Sequence, residues 1–146
     1  MAGVLEGLKV LDLSWGVAGP MTGMLLFDHG ADVTRIERPE GDPFEGLVGY
    51  KVWHRGKKNA VLNLKDDADL ELFYKLAADA DIVIESFRPG VTTRLKIDYA
   101  TLAATNPKLI YCSITGYGDD TPDKDKPGYD GLVAARVGLQ YEQRGW

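Results

Sequence analysis

The sequence contains one cysteine, Cys112, so no internal disulfide can form and a reducing compartment is expected. It has no apolar stretch approaching 18 residues and no N-terminal segment typical of a signal peptide. An excess of positive charge is also absent, since 17 basic residues face 22 acidic ones and the net charge is -5. We therefore expect a soluble, cytoplasmic protein with no nucleic-acid partner and no membrane association.

What is present is the composition of an ordinary globular domain, in which a 45% hydrophobic content is sufficient for a core. Strand and helix signals alternate along the chain, which predicts a mostly parallel sheet with helices on both faces. The predicted strands are Val10 to Leu13, Val33 to Glu37, Ala60 to Leu64, Ile82 to Ile84 and Leu109 to Thr115. The predicted helices are Pro20 to about His29, Asp66 to near Asp79, Val91 to Leu95, Asp98 to Thr105 and about Leu132 to Glu142.

The stretch from Leu8 to Pro39 is the best-defined unit and predicts a strand, a turn, a helix and a second strand. Pro20 suits the first helical position, because the N–H that proline lacks has no intrahelical partner there. Gly30 suits the left-handed stop that ends such a helix. In parallel sheets of this kind, ligands bind outside the carboxyl ends of the strands.

Those strand ends carry groups that can bind a nucleotide. The turn from Ser14 to Gly19 places backbone N–H groups at a helix N-terminus, where an anion is stabilised. Glu37 occupies the position of a ribose ligand in dinucleotide-binding folds, but the spacing of Gly16 and Gly19 does not match the phosphate-binding glycine motif. Arg38 favours a ligand with an additional phosphate, either NADP or coenzyme A. An NADP-dependent oxidoreductase, a CoA-binding protein and an ordinary surface ion pair all stay open.

Other charged or reactive side chains can be explained mainly by structural roles. The basic loop from Trp53 to Asn59 predicts a solvated face or, if it folds toward the strand ends, a phosphate grip. Small, aromatic and basic residues collect at another strand end, from Ser86 to Gly90. We interpret Cys112 as a small core residue and assign no catalytic role to His29 or His54. No residue is assigned to a metal.

With these residues in view, the whole chain resembles the N-terminal part of the family III CoA-transferases. This CaiB/BaiF family includes formyl-CoA and carnitine CoA-transferases and 2-methylacyl-CoA racemases. The resemblance rests on five motifs in order, namely GLKVLDLS…AGP, GADVTRIERPEGD, HRGKKNAVLNLK, DIVIESFRPGV with Arg94 following, and NPKLIYCSITGYG with PGYDGL. Each motif alone is weak, but five in the right order and spacing are specific.

The resemblance implies a Rossmann-like α/β fold in which residues 1–146 form the N-terminal CoA-binding part of the large domain. The small domain and the C-terminal return segment would be absent. The positions implied to bind CoA are Val17, Ala18, Arg38, Leu62, Lys65, Ser86, Phe87 and Arg94. CoA or acyl-CoA would be a substrate, with no tightly bound cofactor. Trp15 and Val17 stand where the formyl-CoA branch has polar residues, which argues against formate or oxalate as the acid.

The implied activity is transfer of CoA between an acyl-CoA donor and a carboxylic acid acceptor through an aspartyl-CoA intermediate. In relatives the nucleophilic aspartate lies beyond the PGYD region, so no catalytic residue is assigned in this chain. Asp130 is expected to cap the last helix, and this chain alone is expected to be inactive. Relatives form interlocked homodimers with shared active sites.

Two alternatives stay open beside the transferase. A racemase-like enzyme is disfavoured because Tyr129 replaces the histidine of that branch, and a tyrosine is a poor base near neutral pH. The other alternative is a catalytically silent CoA-binding module that pairs with a partner chain.

Overall fold

The computed structural model describes residues 3–142, which divide into two compact units at the junction of Ile114 and Thr115. The first unit contains a five-stranded sheet, and every strand pairing in it is parallel. The strands are β1 (Lys9–Asp12), β2 (Asp32–Glu37), β3 (Lys58–Val61), β4 (Ile82–Glu85) and β5 (Ile110–Ser113). Their order across the sheet is β3-β2-β1-β4-β5, so the chain winds outward from β1 in both directions. This arrangement confirms the predicted Rossmann-like α/β fold.

Short connections and helices link these strands. The helices of the first unit are α1 (Ala18–Asp28), α2 (Tyr50–Trp53), α3 (Asp67–Ala78), α4 (Val91–Arg94) and α5 (Tyr99–Ala103). The second unit contains α6 (Asp130–Arg136) and α7 (Leu139–Glu142). Within residues 3–142, none of these helices has the length and apolar character needed to cross a bilayer.

The sheet has a core on each face, because successive side chains of a strand point to opposite sides. One core contains Val10, Val33 and Ile84, packed with side chains from α1. The other contains Leu11 and Val83, packed with side chains from α3 and α5. Both faces of the central strands are therefore covered, as the sequence predicted.

The first helix and the third strand differ from their predicted bounds. Helix α1 begins at Ala18, so Pro20 lies at the third helical position, where it still costs no intrahelical hydrogen bond. Gly30 has φ of 105°, as predicted for a left-handed helix stop. Strand β3 runs from Lys58 to Val61 and ends earlier than predicted, which leaves Leu62 beyond the strand end.

Two further helices were predicted imperfectly. Helix α2 lies in a segment for which no helix was predicted. The predicted final helix is two helices, because Gly138 adopts φ of 81° between α6 and α7. Asp130 is the first residue of α6 and not its cap, which is Tyr129. By contrast, α3 and α5 begin close to their predicted starts, where Asp66 and Asp98 are the N-caps and accept bonds from backbone N–H groups.

Candidate functional site

A cleft of about 480 Å³ lies at the carboxyl ends of β1, β2 and β3 in the first unit. Its lining is residues 13–15, 35–38, 40–43 and 62–65, together with Phe87, Val91 and Leu95. This volume is within the usual range of small-molecule sites, and the position is where parallel sheets bind ligands.

Arg38 follows β2 and lies on the exposed rim of the cleft. Its Nε donates to the Gly41 carbonyl at 2.8 Å, across a turn in which Gly41 has φ of 77°. Within residues 3–142 the guanidinium has no carboxylate partner, and its two terminal nitrogens make no hydrogen bond to the protein. A planar guanidinium held in this way can bind a phosphate through two parallel hydrogen bonds.

Lys65 lies on the same cleft, beyond β3. Its backbone N–H donates to Asn63 Oδ1 at 3.2 Å, and in the described part of the chain its ammonium has no carboxylate partner. Leu62, 5% exposed, contributes an apolar part of the cleft wall. The cleft therefore combines an apolar wall with two cations available to an anion.

A third cation, Arg35, is buried in the floor of the cleft, and both of its terminal nitrogens have protein partners. Its guanidinium donates to Asp42 Oδ2 at 2.9 Å and to the Tyr50 hydroxyl at 2.7 Å, and lies 3.5 Å from Glu37 Oε2. This network was not predicted from the sequence. The available signal was that Arg35 follows the buried Val33 by two residues in a strand, so both point to the same face.

His54 lies behind this floor with its side chain only 8% exposed. Neither ring nitrogen has a hydrogen-bond partner, and Nε2 is 3.8 Å from Asp42 Oδ2. Burial, reinforced by the charges of Arg35 and Lys57, lowers the pKa of His54 to about 3, so the ring is neutral at pH 7. The ring supports the floor and does not line the cleft.

The basic loop before β3 does not form the phosphate grip that was one of its two interpretations. Lys57 is buried, with its Nζ 2.7 Å from Asp12 Oδ2 and 2.8 Å from the Pro20 carbonyl. Burial lowers the pKa of Lys57, while the charge of Asp12 acts in the opposite direction. Asp12, fully buried, also accepts bonds from the backbone and hydroxyl of Ser14. The pair thus fixes the turn between β1 and α1, a role that was not predicted from the sequence.

The other two cations of that loop are paired at its surface. Arg55 forms an ion pair with Asp28, and Lys58 Nζ lies 2.6 Å from Asp32 Oδ2. Because each positive charge faces a carboxylate of the protein, this loop offers little to an anionic ligand.

The structure brings together half of the positions implied to bind CoA. Arg38, Leu62, Lys65 and Phe87 line the cleft, whereas Val17, Ala18, Ser86 and Arg94 do not. The cleft lining also includes residues that were not predicted, among them Val91 and Leu95, which follow the strand-end motif at helical spacing.

The four positions outside the cleft have definite places in the fold. Ser86 Oγ accepts from Trp15 N–H at 3.0 Å and donates to the Trp15 carbonyl at 3.2 Å, so it joins the turns after β4 and β1. Val17 caps α1 and Ala18 is its first residue, while Arg94 is the last residue of α4.

Comparison with known proteins identifies relatives along nearly the whole chain. The model of CoA-transferase family III matches residues 5–145. A succinyl-CoA:mesaconate CoA-transferase of Haloarcula marismortui is 42% identical over 93% of this chain and 38% of its own length. An acetyl-CoA:oxalate CoA-transferase of Acetobacter aceti is 40% identical over 94% of this chain and 38% of its own length.

A solved structure agrees with these sequence matches. The crystal structure of a hypothetical protein from Mycobacterium tuberculosis superposes with a TM-score of 0.91 at 35% identity, covering 99% of this chain and 42% of that one. The chain therefore spans about two fifths of the length of the proteins that it matches.

Proposed function

The chain belongs to CoA-transferase family III, and on that premise we propose that it is the CoA-binding part of an enzyme that transfers CoA between an acyl-CoA and a carboxylic acid. The observation that carries the proposal is the cleft at the strand ends, where Arg38 and Lys65 lack carboxylate partners within residues 3–142. CoA carries three phosphate groups, so it requires such unpaired cations beside an apolar surface.

The lining of the cleft contains groups that suit the two ends of CoA. Arg38 and Lys65, together with the apolar Leu62, suit a phosphorylated adenosine. Phe87 and Val91 form an apolar region that suits the less polar pantetheine arm. In this proposal, Ser86 contributes by holding the two turns together.

Transfer itself needs a nucleophile, which we propose is an aspartate outside residues 3–142. Its carboxylate would attack the thioester carbonyl, expel the CoA thiolate and leave an anhydride. The thiolate would then attack the aspartyl carbonyl, which releases the donor acid and leaves an aspartyl-CoA thioester. Attack by the acceptor acid and return of CoA reverse these steps. The full-length protein is proposed to pair as an interlocked homodimer.

Sequence similarity over these residues does not identify the acid that accepts CoA. Relatives at 42% and 40% identity are named for different acids, mesaconate and oxalate. The expectation against oxalate, which rested on Trp15 and Val17, stays a prediction for substrate assays.

Isothermal titration of the chain with CoA tests the proposal directly. We expect saturable binding of CoA. Arg38→Ala should weaken this binding by at least about tenfold, which is the loss in affinity expected when roughly one hydrogen bond to a charged group is removed. Lys58→Ala is the matched control, because Lys58 is paired with Asp32 and should not contact CoA. Absence of binding at millimolar CoA by folded protein, or equal effects of the two substitutions, would contradict the proposal.

A second experiment separates a transferase from a silent CoA-binding module. Acyl exchange is measured with this chain alone and after mixing with the remaining part of a family III enzyme. Turnover that requires mixing supports the transferase. CoA binding without turnover in either sample supports the silent module.

A further inference from the structure

Glu37, the last residue of β2, lies on the cleft beside Arg38 but does not pair with it. Its side chain is 16% exposed and is anchored through one oxygen. Oε2 accepts from Asn59 Nδ2 at 2.7 Å and lies 3.5 Å from the nearer terminal nitrogen of Arg35. Because Asn59 and Arg35 hold this carboxylate from β3 and β2, it cannot easily turn away from the cleft.

The second oxygen, Oε1, accepts no hydrogen bond from the protein in the described part of the chain. It lies 4.0 Å from the position that a Cβ atom on Gly41 would occupy. The carbonyl of Gly41 is also the group that holds Arg38 by its Nε. The turn after β2 therefore places an unoccupied carboxylate oxygen and the unoccupied nitrogens of a guanidinium at one rim of the cleft.

A carboxylate and a guanidinium in these positions discriminate between the two secondary hydroxyls of a ribose. The carboxylate accepts a bond from a hydroxyl and repels a phosphate, whereas the guanidinium favours the phosphate. In folds of this type, an acidic residue after the second strand accepts a bond from the ribose 2′-hydroxyl. A 2′-phosphate would instead meet the negative charge of Glu37.

We infer that Glu37 is a specificity-determining residue that selects adenosine carrying its additional phosphate on the 3′ and not the 2′ oxygen. The free 2′-hydroxyl donates to Glu37 Oε1, and the 3′-phosphate lies against the terminal nitrogens of Arg38. This inference rests on the proposed function and adds the basis on which the site rejects nucleotides of the NADP type.

Two isomeric probes test the inference, adenosine 3′,5′-bisphosphate and adenosine 2′,5′-bisphosphate. Titration of the wild-type chain should show binding of the 3′ isomer at least about tenfold tighter than that of the 2′ isomer. Glu37→Gln removes the charge and can still accept the bond from Asn59. We expect it to reduce the ratio to about threefold or less, chiefly through tighter binding of the 2′ isomer.

Glu45→Gln is the matched control, because it removes an equal charge from an exposed residue outside the cleft lining. The isomer ratio of this variant should equal that of the wild type. Asn59→Ala provides a second readout, because it keeps the charge of Glu37 but removes its anchor, and it should lower the ratio partially. Circular dichroism confirms that each variant is folded.

The possible results separate this inference from the proposed function. Binding of the 3′ isomer with a wild-type ratio near one, or a ratio unchanged in Glu37→Gln, overturns the inference and leaves the CoA site standing. Failure of the wild-type chain to bind CoA and both isomers overturns the proposed function and the inference with it.

Discussion

The two ends of the parallel sheet differ in how their positive side chains are used. At the end where the strands begin, the cations form ion pairs, namely Lys9 with Asp79, Arg55 with Asp28 and Lys58 with Asp32. At the end where the strands finish, Arg38 and Lys65 line a cleft and have no carboxylate partner within residues 3–142. A basic motif therefore indicates an anion site only when its charges are left unpaired by the fold.

A third kind of cation lies between these ends, in the interior. Lys57 and Arg35 are buried and are paired with Asp12 and Asp42. A buried ion pair adds little net stability, but loss of one partner leaves an uncompensated charge in a medium of low polarity. Interior, surface and cleft cations should consequently respond to substitution in different ways. Three substitutions test that difference, and a fourth prediction concerns the pH response of the interior.

The largest effect is expected for Lys57→Met. Removal of the ammonium leaves Asp12 buried without its counter-charge, which should lower the free energy of unfolding by about 3–5 kcal/mol. Urea denaturation provides the measurement, and Lys58→Met is the control. Adding Asp12→Asn to the variant should recover part of the loss. Equal stability of Lys57→Met and Lys58→Met would show that the interior pair has no special role.

The next effect concerns pH and the histidine behind the cleft floor. The pKa of His54 is lowered from 6.5 to about 3 in the folded state, so the unfolded chain binds more protons between these values. Stability should therefore be greatest above pH 6.5 and fall as the pH decreases, by about 2 kcal/mol between pH 6.5 and 5 from this residue.

Comparison of unfolding curves for the wild type and His54→Gln isolates this contribution. The variant should lose less stability over the same pH range. Identical pH profiles for the wild type and His54→Gln would contradict the prediction.

A moderate effect on binding is expected for Lys65→Ala. Loss of an exposed ammonium on the cleft should weaken CoA binding by about three- to tenfold, and the difference from the wild type should shrink at high salt. Stability should change little, because the ammonium has no partner in the described part of the chain. Titration calorimetry at two salt concentrations measures the affinity for CoA and its dependence on salt. An unchanged affinity would remove Lys65 from the site.

The smallest effect is expected for Asp32→Ala, which breaks a surface ion pair. It leaves Lys58 unpaired at the end of the sheet opposite the cleft. The free energy of unfolding should change by about 0–1 kcal/mol, and CoA affinity by less than about twofold. This substitution asks whether an unpaired cation is sufficient for binding or must also lie on the cleft. A clear gain in affinity would indicate that net charge, and not position, governs binding.

Much of the fold could be predicted because its signals are local. The alternation of apolar strands with capped helices predicted the parallel sheet, and Asp66, Asp98 and Gly30 marked helix ends correctly. The bounds of β3 were wrong because Leu62 and Leu64 lie beyond the strand end, where they pack in the core and also line the cleft. Apolar character alone does not distinguish a strand interior from the wall of a site.

The candidate site was predictable where a strand end was clear, as for Arg38 and Phe87. The interior pair of Lys57 and Asp12 was not, because its partners are 45 positions apart in the sequence. No local pattern distinguishes Lys57 from Lys58, although one is buried and the other exposed.

By itself the amino-acid sequence determined the order of strands and helices, the family and the residues that follow each strand. Hydrophobic periodicity and backbone preferences act over a few residues, so they can be read along the chain. Only the tertiary structure decided which cations are neutralised and which face the cleft. Coulomb interactions and burial depend on distance in space, and the fold sets those distances by bringing remote segments together.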